Sequence, residues 1–309
     1  MQKIFCFVFS EPLFVYPLRK QGYTVYNNQV KLLWKKIIRE ILKRIKIYWK
    51  GFLFLWEIKY NDIAQFTHIV VSSFSTEKYF CDFIEYNFPS KKLIIYSGDT
   101  IRNKEISIKK VNIYKPSNWQ IFSFDEQDCL VFGLKYNPMF FCAWEESTNI
   151  NSNSSVHNEN GGIFFIGLSK DREEKVMFLK RKFDEMNIKN KIILIDSSRQ
   201  DYMKKIVPYE EVLMEVKNSD ILLDIVREGQ SGATQRELEA IGFKKKLITD
   251  NQYIKNRKYY NENNIFIVDW SKQDVLEGIE DFLAKPFEKI EEEIMNYYSI
   301  KNWLVRFLE

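Results

Sequence analysis

The sequence predicts an α/β protein made of two Rossmann-like, doubly wound domains facing each other across a cleft. Three observations carry that expectation. The chain has 309 residues, about twice the ~150 of an ordinary domain. Its second half alternates short apolar runs with amphipathic segments, the pattern of a parallel sheet covered on both faces. The stretch ESTNINSNSSVHNENGG, Glu146–Gly162, interrupts the chain near its middle. It is nearly all Asn, Ser, Glu and Gly, lacks apolar periodicity and reads as a linker. The expected division is an N-terminal domain over residues 1–145, a linker over 146–162 and a C-terminal domain over 163–286. Residues 287–309 then read as a C-terminal helix packing back toward the N-terminal domain.

In the first half, KIFCFVF (Lys3–Phe9) opens as a strand. HIVVSSF (His68–Phe74) and KKLIIYS (Lys91–Ser97) are strands on either side of a helical EKYFCDFIEYNF. QIFSF (Gln120–Phe124) and CLVFGLKYNP (Cys129–Pro138) read as two more strands. The second half is more regular. GIFFIGL (Gly162–Leu168) is a continuous apolar run typical of a buried parallel strand. A helix follows, with Val176, Leu179, Phe183 and Met186 at helical spacing. KIILID (Lys191–Asp196), DILLDIV, KKLIT and NIFIVD (Asn264–Asp269) complete five strands. Helices fall at Pro208–Ser219, where Pro begins the first turn, at TQRELEAIGF and at Ser271–Ala284.

Composition excludes several classes. Hydrophobic residues are 45% and charged residues 28%, so the chain can build a core and is not a disordered segment. The net charge of +4 is too small to argue for nucleic acid, and no RNA-recognition motif is present. The four cysteines (Cys6, Cys81, Cys129, Cys142) form no CxxC pair and read as buried free thiols. Two histidines, His68 and His157, cannot make a His-rich metal site, and His68 reads as a core residue. The first ten residues read as a strand rather than a signal peptide, and no stretch approaches the ~20 apolar residues of a spanning helix. A cytoplasmic protein is expected.

The most informative segment is DIVREGQSGATQRELEAIGFKKKLITDN, Asp224–Asn251. A strand ends near Val226, and the loop Arg227–Gly232 leads into a helix. Thr234 with Glu237 three residues on matches a capping box, while Ser231 is a competing cap. In either case the first-turn N–H groups form a site suited to phosphate. Gly229 and Gly232 allow close approach to the backbone. Arg227 or Arg236 would add a bidentate contact. Glu228 or Glu239 would accept hydrogen bonds from a ribose or sugar hydroxyl pair. The bland alternative is a well-capped helix with solvated charges. No GxGxxG follows the first strand of this half and no GxxxxGK[ST] occurs, which weighs against a dehydrogenase and an NTPase.

The arrangement resembles the donor half of a two-Rossmann (GT-B) nucleotide-sugar glycosyltransferase. The residues that carry the resemblance are Ser219–Asp220, the apolar Ile221–Val226, Glu228–Gly229, Leu238–Glu239–Ala240 and Lys246–Leu247–Ile248–Thr249. QSGATQRELEAIGFKKKLITDN is similar to bacterial enzymes that build capsule, O-antigen or lipo-oligosaccharide sugars. Gly162–Glu173 is similar to the first strand and phosphate-side loop of that domain, and Phe122–Pro138 to the segment before its linker. The chain departs from the retaining members in one respect. They often carry two Glu with seven residues between them, whereas here ten separate Glu228 from Glu239.

That resemblance implies transfer of a sugar from a nucleotide sugar to a glycan or lipid-linked acceptor. Ser231, Gly232, Ala233 and Thr234 would meet the diphosphate, helped by Arg236 and by Arg172 in the SKDRE loop. Glu228 and Gln230 would orient the sugar. The chain has no Asp-x-Asp to hold a divalent ion on the diphosphate, so no metal or other cofactor is expected. An inverting reaction would need a general base from the first domain. The candidates are Asp99, after KKLIIYSGD, and Glu11, after the first strand; each reads alternatively as a turn or capping carboxylate. Two other readings stay open: a non-catalytic GT-B-like partner of a transferase, and a nucleotide-sugar epimerase.

One segment stands apart. Val30–Gly51 interleaves eight Lys and Arg with Leu, Ile and two Trp. As a helix it would lie on an anionic membrane surface, making the protein peripheral on the inner face of the plasma membrane. The alternative is a core helix with a basic solvated face.

Overall fold

Short runs of Ile, Val, Phe and Leu buried on both sides become parallel strands, because a sheet between two helix layers hides such runs completely. The computed structural model describes residues 2–9, 11–27, 30–72, 77–102, 105–114, 118–143, 147, 161–196 and 207–309. Apart from Ser147, Gly161 and Gly162, the linker expected at 146–162 lies outside the described residues. The chain forms two compact units, residues 1–137 with 304–309, and residues 138–303.

In the first unit β1 (Phe5–Val8), β2 (Thr24–Tyr26), β3 (His68–Ser72), β4 (Lys92–Ser97), β5 (Trp119–Ser123) and β6 (Lys135–Tyr136) form one sheet. Its order is β2-β1-β3-β4-β5-β6, parallel throughout. The helices are α1 (Pro12–Lys20), α2 (Leu33–Arg44), α3 (Tyr60–Ala64), α4 (Lys78–Asn87), α5 (Glu105–Tyr114) and α6 (Glu126–Phe132). Cys6, Val8, Ile69, Val71, Leu93 and Ile95 share a cluster with Phe80, Phe83 and Ile84 of α4. Phe5 of β1 and Phe9, just past its end, turn the other way: Phe5 meets Phe307, and Phe9 meets Phe14 of α1. Phe307 also contacts Tyr96 and Phe122, and Arg306 Nε donates to Asn137 Oδ1 at 2.7 Å.

In the second unit β7 (Ile163–Leu168), β8 (Asn190–Ile195), β9 (Ile221–Asp224), β10 (Lys246–Thr249) and β11 (Ile265–Ile267) pair in the order β11-β10-β9-β7-β8, again parallel. The helices are α7 (Glu173–Glu185), α8 (Tyr209–Asn218), α9 (Gln235–Gly242), α10 (Ile279–Ala284) and α11 (Glu292–Tyr297), with α12 (Ile300–Val305) beginning here and ending among the residues counted with the first unit. Ile163 and Phe165 pack with Val176, Leu179 and Phe183 of α7. Phe164, one residue between, lies under Arg236 of α9. The sheet is therefore wound on both faces, and the two Rossmann-like α/β domains expected from the sequence are present.

Several local expectations are corrected. Cys129–Phe132, read as strand, belong to α6. The Asp125 carboxylate accepts the Asp128 N–H at 3.1 Å and starts a helix there, and Gly133 ends it at φ 61. Only Lys135–Tyr136 of that run pairs as a strand. The helix expected from Ser271 begins at Ile279, because Gly278 holds φ 82 before it. The helix expected across residues 30–51 spans Leu33–Arg44, and Lys50–Trp56 is a 3₁₀ segment. Residues 287–309 hold two short helices, α11 and α12, rather than one. The edge strand β2 was not visible in the pattern.

Candidate functional site

Parallel strands deliver all their carboxyl ends to one edge of a sheet, and the loops leaving them gather there. In the second unit the chain leaves β7, β9 and β10 at Leu168, Asp224 and Thr249. Arg172 ties two of these ends together: its Nε donates to Leu168 O at 3.0 Å and its Nη1 to Ile225 O at 2.7 Å. Gly167 makes room for it, since a Cβ there would stand 2.6 Å from Arg172 Nη2. Burial pulls the Arg172 pKa down, and the charges of Asp224 and Asp171 push back.

Asp250 fastens the other side. Its Oδ1 accepts the Val226 N–H at 2.8 Å, and its Oδ2 faces Lys175 Nζ at 3.2 Å and Trp270 Nε1 at 3.0 Å. Asp224 lies deeper, 4% exposed, with Thr234 Oγ1 donating to Oδ2 at 2.9 Å. Burial, and then the nearby Glu237 charge, push the Asp224 carboxyl up to about 7, against the hydroxyl of Thr234 and the charge of Arg172.

Between these anchors runs the loop. Arg227 Nε lies 3.6 Å from Asp171 Oδ1, and the Glu228 N–H donates to Asp171 Oδ2 at 3.3 Å. Gly229 turns the chain at φ 72, a left-handed position that suits glycine. Gln230 closes the turn through its N–H to Arg227 O at 3.0 Å, and its side chain is 3.5 Å from Gly232 O. Ser231, Gly232 and Ala233 are buried. The Ser231 carbonyl accepts from Arg257 Nη2 at 2.6 Å. Thr234 is then the cap of α9, accepting the Glu237 N–H at 3.0 Å. Of the two competing caps, the chain uses Thr234. The Glu237 carboxylate is buried, takes the Tyr259 hydroxyl hydrogen and faces Arg257 at 3.8 Å.

The structure thus gathers Arg172, Arg227, Glu228, Gln230, Ser231, Gly232, Ala233 and Thr234 at one sheet edge. Arg236 and Glu239 lie further along α9. They sit three residues apart on the inner face of α9 and bind each other, Arg236 Nη1 to Glu239 Oε2 at 2.5 Å. Tyr209 donates to Glu239 Oε1 at 3.0 Å, and the guanidinium covers the Phe164 ring at 5.2 Å. Glu239 is 1% exposed, and these contacts link α8, α9 and β7. Sequence reasoning passed over Asp171, Asp224, Asp250 and Arg257. The signal for two of them was there, since DILLD and LITD each end an apolar run on aspartate.

Glu11 and Asp99 belong to the first unit. Glu11 follows β1 and accepts the Ser72 hydroxyl at 2.6 Å from the end of β3. Asp99 follows β4, accepts the Thr100 N–H at 2.9 Å and offers its carbonyl to Ser97 Oγ at 2.6 Å. β1, β3 and β4 are neighbours, so both carboxylates lie on the carboxyl edge of that sheet. The Asp99 loop is braced from below by residues not foreseen. Arg102 Nη1 donates to Asp125 Oδ1 at 2.6 Å and Asp128 Oδ1 at 2.7 Å, and Asp128 accepts the Ile101 N–H at 2.6 Å. His68 is half-buried against the Phe5 ring, with Nδ1 2.8 Å from Thr67 Oγ1. The cysteines are free thiols, and among the described residues no helix is long and apolar enough to cross a membrane.

No family model and no curated protein matches the sequence. Among solved structures the chain is similar to a glycosyltransferase from Rickettsia africae ESF-5, with 12% identity and a TM-score of 0.53 over 98% of this chain and 88% of that one. It is also similar to a UDP-forming α,α-trehalose-phosphate synthase from Burkholderia xenovorans, with 11% identity and a TM-score of 0.51 over 89% and 78% of the two chains. A UDP-GlcNAc 2-epimerase from Methanocaldococcus jannaschii, in complex with UDP-GlcNAc and UDP, reaches a TM-score of 0.48 at 15% identity over 99% and 98%. That last likeness adds nothing to the fold assignment. The two sheets together with the first two neighbours establish the two-Rossmann-like-domain GT-B fold.

Proposed function

We propose that this chain is a glycosyltransferase that binds a nucleotide sugar at the carboxyl edge of the β7–β11 sheet. It would pass the sugar to a glycan or lipid-linked acceptor in bacterial surface polysaccharide synthesis. One observation carries the reading. The Thr234-capped start of α9 rises from the Ser231–Ala233 turn at the end of β9, in the same loop cluster as Arg172 and Arg227.

Breaking the bond from the anomeric carbon to the diphosphate oxygen moves an electron pair onto the leaving group. First-turn amides and arginine stabilise that charge best where water is excluded. Arg227 and the amides at the start of α9 would take this role, with Arg172 adding positive charge from the strand ends. Glu228 and Gln230, at the tip of the loop, would accept and donate to sugar hydroxyls. Asp99 or Glu11 would take the proton from an attacking acceptor hydroxyl. No metal enters the proposal, because the chain lacks an Asp-x-Asp and the diphosphate charge has cationic and amide partners.

Thermal unfolding against a panel of nucleotide diphosphates and nucleotide sugars, with and without EDTA, tests this. Ligand at a hundredfold excess over Kd stabilises by about 2.7 kcal/mol, a rise in Tm of roughly 5–10 °C for a domain of this size. The shift is expected to survive EDTA and to fall in Arg227→Ala. Absence of any shift overturns the reading, and loss of the shift with EDTA overturns its metal-free part. Sugar interconversion without acceptor would assign an epimerase instead.

A further inference from the structure

The basic segment after β2 packs in an unusual sense. A surface helix ordinarily turns its apolar stripe to the core; α2 sends only Ile38 and Leu42 there and carries a second apolar stripe on its outward face. Leu33, Trp34, Ile37, Ile41 and Ile45 follow helical spacing, and each is between 50% and 74% exposed. Lys35 and Leu42 are the buried residues of this helix. Lys35 Nζ donates to Phe54 O at 3.1 Å and pairs with Glu57 at 3.5 Å. Arg39, half-buried, pairs with Glu40 at 2.9 Å and Glu77 at 3.2 Å. Lys35 and Arg39 thus help Ile38 and Leu42 to seat the helix, while the larger apolar stripe faces outward. Trp49 and Phe54, in the segment that follows, extend it at 61% and 41% exposure.

Charge says what covers this face. Residues 30–51 hold eight Lys and Arg and one acid, Glu40, a balance of +7 in a chain whose total is +4. The rest of the protein is therefore net acidic. Lys31, Lys36, Lys43, Arg44, Lys46 and Lys50 are exposed in or beside the apolar stripe. A two-fold contact with a second copy would set this cationic surface against itself. A bilayer with anionic headgroups satisfies both parts, taking Leu, Ile and Trp into its interface and the lysines into its headgroup layer.

We propose that the outward face of α2, with Trp49 and Phe54, docks the protein on an anionic membrane surface. The proposal concerns the first unit and stands apart from the nucleotide site of the second.

The test is co-sedimentation of the full chain with vesicles of phosphatidylcholine alone, or of phosphatidylcholine with phosphatidylglycerol. Binding is measured at about 0.1 M and about 1 M salt, where screening shortens from about 10 Å to about 3 Å. Each cation near an anionic surface strengthens binding about fivefold, so a preference for anionic vesicles of at least ~10-fold is expected at low salt and is expected to fall at high salt. The variant Trp34→Ser/Ile37→Ser/Ile41→Ser is expected to lose binding at least ~10-fold with unchanged Tm. Because its sites are exposed, the fold does not depend on them. A second variant, Lys36→Glu/Lys43→Glu, is expected to lose the anionic preference and keeps the test decisive if the first variant unfolds. Absent binding, or equal binding to both vesicles, overturns the proposal. So does a wild-type dimer in light scattering that the triple substitution converts to monomer, since the face would then be a contact between copies.

Discussion

Replacing Asp224 with asparagine changes one buried charge and little else, since Asn also accepts from Thr234 Oγ1. The Asp224 carboxyl titrates at about 7 in the folded chain, because burial, and then Glu237, disfavour its charge. In the unfolded chain it titrates near 3.9. The folded value is the higher one, so the folded state keeps a proton that the unfolded state gives up. The stabilisation is fully present below about pH 4 and is lost as pH rises through about 7. The roughly three-unit gap corresponds to about 4 kcal/mol, or up to about 1.4 kcal/mol for each pH unit in the window. The assay is urea unfolding of wild type and Asp224→Asn in parallel from pH 4 to 8, so that every other titration cancels. With a urea slope of about 2 kcal/mol per M, the midpoint of Asp224→Asn is expected to gain about 2 M on wild type across the window and to level off above it. A midpoint difference that stays constant with pH refutes the reasoning. It would mean that Asp224 carries its charge at neutral pH, held by Arg172 in spite of burial.

Thr234→Ala removes both the helix cap and the hydroxyl donated to Asp224, and is expected to cost about 1–2 kcal/mol. Thr234→Ser should restore most of it, and the pair is read by thermal unfolding and by nucleotide-sugar binding. Arg102→Met strands Asp125 and Asp128, each fully buried, without their cation. Loss of one partner of a buried pair costs about 3 kcal/mol or more, to be read as a lowered Tm. A wild-type Tm would show that the two carboxylates share a proton instead.

The doubly wound architecture was legible because buried parallel strands have a blunt signature. GIFFIGL and DILLDIV are apolar without alternation, and both are strands in the second sheet. The Thr234 cap was legible for a similarly local reason, a hydroxyl three residues before the amide it binds. Where a contact is distant in the chain, the sequence does not announce it. Nothing near Arg236 and Glu239 in sequence announces their contacts with Tyr209, thirty residues before Glu239, or with Phe164 on β7. The apolar run at Cys129 suggested a strand, and a single carboxylate, Asp125, made it a helix. For α2 the amphipathic pattern was plain, but its sense was not. Periodicity finds an apolar face without saying whether the core or the solvent receives it.

The place of Phe307 has a consequence for how the chain is made. Its ring contacts Phe5, Tyr96 and Phe122, yet about 170 residues are synthesised between β6 and this side chain. At roughly 5–20 residues per second, the first sheet waits on the order of 10–30 s for a ring that completes its surface. During that interval the whole of the second unit is synthesised. A chain halted before residue 307 therefore keeps Phe14 of α1 on that side of its first sheet but lacks the ring that bridges Phe5, Tyr96 and Phe122.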